Sequence, residues 1–178
     1  NSSPHHFGAY QFRPITFGPI TFGRAAMLLE RDVFSYRQDS AVPEFLASDV
    51  FTVMDEKCSL CARGAAWIAR NDHAHEFSIV PLQSGLGDAL MRHYGLDPAD
   101  PTSWLYLENG HAYSSLDAFI RVGQRLGGVW NGLVILNILP RSFQDLLYRF
   151  VARNRYRLFG STDLCTLPDP DVRKRLVI

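Results

Sequence analysis

The chain has 178 residues, 47% of them hydrophobic, which is enough to bury the core of one domain. Its 18 basic and 18 acidic side chains cancel, so no global charge directs it to nucleic acid or to a membrane. Three cysteines are too few, and odd in number, for a disulfide-stapled secreted scaffold, and no apolar stretch reaches the ~20 residues of a membrane span. The cytoplasm is the expected compartment, with N-terminal processing left open because the chain starts at Asn1.

The first 35 residues differ from the rest of the chain. Residues 14–18, Pro-Ile-Thr-Phe-Gly, recur as residues 19–23. Proline and glycine at this interval interrupt helices, whereas Ile-Thr-Phe favours extended backbone. We expect an extended N-terminal arm over residues 1–35 that packs on its own domain, with contact to a protein partner as the second interpretation. A polar linker at residues 36–40 should then begin a single domain, residues 36–178.

The first strand of that domain leads to two cysteines. Residues 50–54 are apolar and partly β-branched, which predicts a buried strand, and the alanine-rich residues 62–70 predict a helix. Cys58 and Cys61 therefore lie where the strand gives way to the helix. The unpaired N–H groups and positive dipole end of a helix start favour a thiolate, and two thiols at this spacing can close a disulfide ring. The pattern predicts a dithiol redox centre.

Two other interpretations of the cysteines stay open. His73 and His75 follow them, as in a Cys2His2 zinc site. The intervening helix would hold these histidines about 16 Å from the thiols, too far to share a metal ion. The other alternative is a pair of buried, inert cysteines.

The remaining elements complete a recognisable order. We predict strands at 77–80, 104–107 and 111–113, and helices at 87–94 and 116–126. Asn109-Gly110 marks the hairpin turn between the last two strands, and Ser115 is the expected N-cap of the second helix. The order β-α-β-α-β-β-α is that of an α/β, thioredoxin-like domain. Two further helices, at 129–139 and 142–154, should cover one side of the sheet.

In such a centre the two thiols have different roles. Cys58 is the predicted attacking thiol at the more exposed edge of the helix start, and Cys61 is the resolving thiol one turn deeper. Asp55 could accept the proton that Cys61 loses, although an aspartate at a strand end more commonly binds backbone N–H groups of a turn. Lys57 would favour the Cys58 thiolate by its charge.

The loop before the third strand is the predicted substrate-binding element. Thioredoxin-like proteins carry a cis-proline there that faces the dithiol, which makes Pro101 and the adjacent Thr102 the candidates. Pro98 is close by, and an ordinary turn proline is an equal alternative.

Two features lie towards the C-terminus. Cys165 is a third thiol. We interpret it as a structural residue, with a second resolving cysteine as the alternative. Arg149, Arg153, Arg155 and Arg157 form a basic cluster. A solvated helix face, or one arginine that reaches back to stabilise the fold, is favoured over nucleic-acid binding because the chain as a whole is neutral.

Several ordered motifs point to one family. They are Asp-x-x-Cys-x-x-Cys at 55–61, Pro-Leu-Gln-Ser at 81–84, Tyr-Gly-Leu at 94–96, Ala-Arg-Asn-Arg-Tyr-Arg-Leu-Phe-Gly at 152–160 and Asp-Leu-Cys at 163–165. Over about residues 36–170 the chain resembles the DCC family of thiol-disulfide oxidoreductases. The family usually has glycine after the motif aspartate, where this chain has Glu56. A glutamate there could alter the turn and raise the pKa of Cys58.

The resemblance and the residues together predict an enzyme. We expect thiol–disulfide exchange between the CxxC dithiol and a protein or small-molecule disulfide, with no cofactor or metal and with an external thiol reductant to regenerate the dithiol. The alternative is a redox-inert, thioredoxin-like interaction domain that binds a partner through its Phe-rich arm and extra helices.

Overall fold

A computed structural model of the chain describes residues 31–45, 47–100, 102, 104–162 and 169–177. Most of the predicted N-terminal arm lies outside these residues, as do Pro101 and Cys165. The division into an arm and a domain therefore stays a prediction.

A four-stranded mixed sheet organises the described residues. Its strands are β1 (Val50–Met54), β2 (Phe77–Pro81), β3 (Leu105–Glu108) and β4 (His111–Ser114), in the spatial order β2-β1-β3-β4. β1 pairs in parallel with β2, and β3 runs antiparallel to both β1 and β4. This sheet, with the predicted order of strands and helices, confirms the thioredoxin-like α/β fold.

Helices connect and cover these strands. They are α1 (Ser59–Asn71), α2 (Gly85–His93), α3 (Ser115–Leu126), α4 (Arg141–Phe159) and α5 (Pro170–Arg173), with 3-10 segments at Ser35–Gln38 and Gly128–Ile138. α3 begins at Ser115 itself, so Ser114 and not Ser115 is the N-cap residue, and the Ser114 side chain makes no capping bond. α4 extends five residues beyond the predicted end and stops at Gly160, whose φ of 76° suits a residue without a Cβ atom.

The helix predicted over residues 129–139 is instead a 3-10 segment, Gly128–Ile138. Gly127 and Gly128 both have positive φ, so α3 ends there and the chain changes direction. Pro140 closes the segment after only eleven residues, and none of these residues is buried. The prediction of a packed α-helix therefore differs from the structure, which has a more tightly wound 3-10 helix without a buried residue.

Apolar residues lie on both faces of the sheet. Val50 and Met54 of β1 belong to a core shared with α1, α3 and α5, whereas Phe51 and Val53 belong to a second core shared with α2. This alternation follows the two-residue period of a strand. Since both faces are covered, every residue of β1 is buried, and its C-terminal end leads into the turn before α1.

The segment predicted to be a polar linker contributes to the second core. Tyr36 is buried, and its ring lies edge-on to Phe51 with centroids 5.6 Å apart. At the other end of the chain, Ile79 of β2 exchanges backbone hydrogen bonds with Arg175 and Val177, 2.7 and 2.9 Å long. The C-terminal residues thus cover the outer edge of β2, which would otherwise be an unpaired strand edge.

Candidate functional site

The two cysteines lie where the sequence predicts, between β1 and α1. Cys58 occupies the N-cap position of α1 with extended backbone, and Cys61 lies in the first helical turn. The Cys58 N–H group donates to the Asp55 carbonyl oxygen over 3.5 Å, which closes the turn after β1. Both thiols are free, and the turn directs them to the same end of the helix.

The two thiols have opposite acidities. The pKa of Cys58 is lowered to about 6, mainly because the Cys61 thiol donates a hydrogen bond to it. Burial opposes this shift, whereas the N–H groups of Cys61 and Leu60 and the charge of Arg155 support it. The pKa of Cys61 is raised, because its proton is held by Cys58 and because it is desolvated. The pair is therefore a thiolate beside a thiol at neutral pH.

The exposure of the two cysteines is the reverse of the prediction. Cys58 has no solvent-exposed surface, and Cys61 is half-buried. The expectation that Cys58 lies at the more exposed edge is wrong because residues 160–162, which follow α4, lie across it. Ser161 forms an antiparallel bridge with Cys58, and the flanking bonds run from Ser59 N–H to the Gly160 carbonyl (3.4 Å) and from Thr162 N–H to the Lys57 carbonyl (3.1 Å).

Asp55 is buried beneath the dithiol with both carboxylate oxygens occupied. Oδ1 accepts hydrogen bonds from the Lys57 N–H (3.0 Å) and from Gln83 Nε2 (2.7 Å). Oδ2 accepts from Arg155 Nη2 at 2.5 Å and from the Tyr156 hydroxyl. Burial alone would raise the pKa of Asp55, but these donors together hold it below its usual value. Asp55 is therefore ionised at neutral pH, and its role as a proton acceptor stays a prediction.

Arg155 and Tyr156 are residues that the sequence analysis did not place at the dithiol, although it expected that one arginine of the cluster could reach back to stabilise the fold. Only three members of the predicted arginine cluster, at positions 149, 153 and 157, are exposed. Arg155 is buried, in an ion pair with Asp55. Burial tends to lower its pKa, but Tyr156, both cysteines and Asp55 outweigh this and raise it.

A helical spacing could have identified Arg155. It shares one face of α4 with residues that follow each other at intervals of four, namely Gln144, Tyr148 and Ala152, and the last of these precedes Arg155 by three residues. Gln144, Ala152 and Arg155 are the buried residues of this helix. An arginine on the same face as a buried alanine indicates a buried ion pair.

Thr102, one of the two predicted substrate-binding residues, also contacts α4. The Tyr148 hydroxyl donates to the Thr102 carbonyl oxygen over 3.1 Å. The pKa of Tyr148 is raised, first by burial and further by the neighbouring Cys61. Tyr148 thus joins the loop before β3 to α4, whereas Pro101 lies outside the described residues.

Glu56 does not distort the turn that carries the cysteines. Its φ is not positive, so the turn has no need of glycine at this position. The Glu56 N–H group donates to Gln83 Oε1 over 3.1 Å, and the amide of the same glutamine donates to Asp55. Gln83 therefore fixes both residues of the Asp55-Glu56 pair at the end of β1.

The histidines that follow α1 make other contacts. His75 Nδ1 lies 2.9 Å from Arg175 Nη2, and His73 is exposed. Within the described ranges, no group of three His, Cys, Asp or Glu side chains could hold a metal ion. Nor does any helix of that part of the chain have the length and apolar character needed to cross a membrane.

Comparisons with known proteins agree with this geometry. A sequence model of the DCC1-like thiol-disulfide oxidoreductase family matches residues 52–161. The chain is 33% identical over 125 residues to the uncharacterized protein YuxK of Bacillus subtilis (strain 168), which covers 70% of this chain and 91% of that protein. It is 29% identical over 142 residues to the DCC family protein At1g52590, chloroplastic, of Arabidopsis thaliana, covering 78% and 81%. No solved structure matches the chain significantly.

Proposed function

Because the chain belongs to the DCC1-like thiol-disulfide oxidoreductase family, we propose that it exchanges the Cys58–Cys61 dithiol with a disulfide of a protein or small molecule. One observation carries this proposal: two free thiols lie at the start of α1, Cys58 at the N-cap position and Cys61 in the first turn. In this arrangement the neighbouring Cys61 thiol lowers the pKa of Cys58 to about 6. At pH 7 a thiol of this pKa is about 90% ionised, and the thiolate is the nucleophile of disulfide exchange.

The exchange takes two steps. The Cys58 thiolate attacks one sulfur of the substrate disulfide, forms a mixed disulfide and releases the other sulfur as a thiolate, which takes a proton from solvent. The Cys61 thiol then loses its proton and attacks Cys58 Sγ, which releases the second substrate sulfur. The substrate gains two electrons and two protons, and the protein is left with a Cys58–Cys61 disulfide. An external thiol reductant restores the dithiol.

Arg155 and Asp55 support the first step by electrostatics. The Arg155 guanidinium lowers the pKa of Cys58 and is itself held by the buried Asp55 carboxylate. Asp55 already accepts four hydrogen bonds. We therefore assign it primarily to positioning Arg155 and only secondarily to proton transfer. The carboxylate remains the nearest candidate to receive the proton of Cys61 once the mixed disulfide has formed.

Residues 160–162 must move for a substrate to reach Cys58. The two backbone bonds that hold them to Lys57 and Ser59 are 3.1 and 3.4 Å long, and an extended substrate segment could replace them by pairing with the same backbone groups. Pro101 and Thr102, in the loop before β3, are the other proposed contacts for the substrate backbone. The Tyr148 bond to Thr102 supports this placement of the loop.

A redox titration tests the proposal. The full chain is equilibrated in graded mixtures of reduced and oxidised glutathione or dithiothreitol, and free thiols are trapped by alkylation and assigned by mass spectrometry. We expect a reversible two-electron transition of the Cys58–Cys61 pair at a potential within the range of roughly −270 to −120 mV known for dithiol proteins. Cys61→Ser should instead accumulate a mixed disulfide on Cys58. Thiols that never pair with each other would contradict the proposal.

The burial of Cys58 favours a second candidate, a redox-inert interaction domain. Such a domain would keep its partner after Cys58→Ser but lose it when residues 1–35 or the exposed part of α4 are changed. The oxidoreductase would show the opposite pattern, with reduction of a disulfide substrate abolished by Cys58→Ser and its fold retained.

A further inference from the structure

Large apolar side chains protrude from the two elements that extend the fold after α3. Six of them lie at the end of the 3-10 segment and in the first half of α4, with exposed fractions between 41% and 80%. We call them the apolar face; they are Ile135, Ile138, Phe143, Leu146, Leu147 and Phe150. Single exposed apolar residues are normal on a protein surface, but six on consecutive elements are not.

These side chains are held outward by contacts that fix the two elements. Trp130 Nε1 donates to Asn71 Oδ1 over 2.9 Å, and the Trp130 ring packs edge-on against Trp67 of α1. Gln144 Nε2 donates to the carbonyl oxygens of Leu136 and Leu139, at 3.0 and 2.9 Å. The buried Gln144 side chain therefore joins the end of the 3-10 segment to the first turn of α4, which holds these two elements together.

The helical spacing shows that the α4 part of the face is not core. Phe143, Leu146, Leu147 and Phe150 follow the three- and four-residue intervals of a single helical stripe. The buried residues of the same helix lie on its other side, where Arg155 contacts the Asp55 carboxylate. α4 thus packs on the domain through one side and exposes an apolar stripe on the other.

Helical spacing places Arg149, Arg153 and Arg157 of α4 beside the apolar face. Residues 128–159 contain five arginines and one acidic residue, Asp145, although the whole chain is neutral. Arg155 is buried in its ion pair with Asp55, and the other four are exposed: Arg141, Arg149, Arg153 and Arg157. Exposed apolar side chains beside arginines are the composition of helices that lie in the interface of an anionic bilayer.

We propose that the apolar face docks on the surface of an anionic lipid bilayer, with α4 parallel to the membrane plane. The aliphatic and phenyl groups enter the acyl boundary, and the exposed arginines contact lipid phosphates and carboxylates. Fluid acyl chains can surround side chains that protrude by different amounts, which a rigid partner surface cannot do without matching pockets.

Charge argues against a second copy of this chain as the occupant. A twofold contact between two identical faces would bring the exposed arginines of both copies together, with one half-buried aspartate per copy to offset them. An anionic bilayer surface instead places negative charge against these arginines. The proposal goes beyond thiol–disulfide exchange and does not depend on the reactivity of Cys58.

Vesicle co-sedimentation of the full chain tests the proposal. The vesicles are phosphatidylcholine alone or phosphatidylcholine with 30% phosphatidylserine, at low and physiological salt. We expect binding to the anionic vesicles, weaker in high salt and much weaker to neutral ones. Leu146→Ser and Phe150→Ser should each weaken it roughly tenfold, and Arg149→Gln and Arg153→Gln about fivefold each.

Matched substitutions elsewhere control for charge and exposed apolar area. Arg70→Gln and Arg173→Gln remove the same charge from exposed positions on other helices, and Val33→Ser removes an apolar side chain that is 44% exposed. These variants should bind vesicles like the parent chain. Circular dichroism and thermal melting establish that every variant is folded.

Several results would overturn the proposal. Absence of binding to anionic vesicles is one, and equal binding to neutral and anionic vesicles is another. A dimer in light scattering that Leu146→Ser dissociates would identify a second copy as the occupant. Tighter binding to an acidic protein or to RNA than to the vesicles, abolished by the same substitutions, would assign the face to that partner instead.

Discussion

Replacing Cys61 by alanine removes the interaction that contributes most to the acidity of Cys58. The Cys61 thiol is the first cause of the pKa of about 6, ahead of the backbone N–H groups and the charge of Arg155. If these weaker contributions are offset by burial, the pKa of Cys58 should return towards the ordinary value of about 8.5. The ionised fraction at pH 7 would then fall from about 90% to about 3%, roughly thirtyfold.

The assay is the pH dependence of Cys58 alkylation by iodoacetamide, with the modified site identified by peptide mass spectrometry. The midpoint should lie near pH 6 in the parent chain and more than one unit higher in Cys61→Ala. Cys61→Ser keeps a hydroxyl donor at this position and should give an intermediate midpoint. A midpoint that stays near pH 6 in Cys61→Ala would refute the assignment of this shift to the thiol pair and would transfer it to the helix start and Arg155.

Three further substitutions test the surroundings of the dithiol. Asp55→Asn removes the carboxylate from a buried ion pair and should lower the free energy of unfolding, measured in denaturant, by about 3–5 kcal/mol. Because the pKa of Asp55 is lowered, this contribution is present at neutral pH and is lost only as the pH falls below about 4. Thr162→Pro removes the backbone hydrogen bond from residue 162 to the Lys57 carbonyl, so residues 160–162 should move away from Cys58 more readily. Alkylation of Cys58 should become about fivefold faster, whereas Thr162→Ala keeps the N–H group and should leave the rate unchanged. Tyr148→Phe should lower stability by about 1 kcal/mol, and an unchanged unfolding midpoint would count against its bond to the loop before β3.

Local patterns predicted most of the fold. The first strand was predicted at its observed bounds because a strand covered on both faces is nearly all apolar, and in Val50–Met54 only Thr52 is polar. The hairpin turn followed from Asn109-Gly110, both of which have positive φ in the structure. The segment Gly128–Ile138 was predicted as a packed helix but is a 3-10 helix without a buried residue, because an apolar run does not by itself show how deeply a segment is buried.

The candidate site was predicted only in part because its contacts are distant in sequence. The dithiol and Asp55 follow from a spacing of six residues, but Arg155 contacts Asp55 from 100 residues away. No local pattern places the end of α4 against the start of α1, so the cover that residues 160–162 form over Cys58 was not expected. The reversed exposure of the two thiols is a consequence of that tertiary contact.

The two sides of α4 make the proposed redox and docking functions separable by substitution. Arg155 faces inward and lowers the pKa of Cys58 through its charge, whereas Phe150 faces outward and is 60% exposed. Arg155→Gln should therefore raise the alkylation midpoint of Cys58 and leave vesicle binding unchanged, and Phe150→Ser should do the reverse. If either substitution changed both measurements in a folded protein, the two sides of the helix would be coupled, and the independence argued from their opposite orientations would fail.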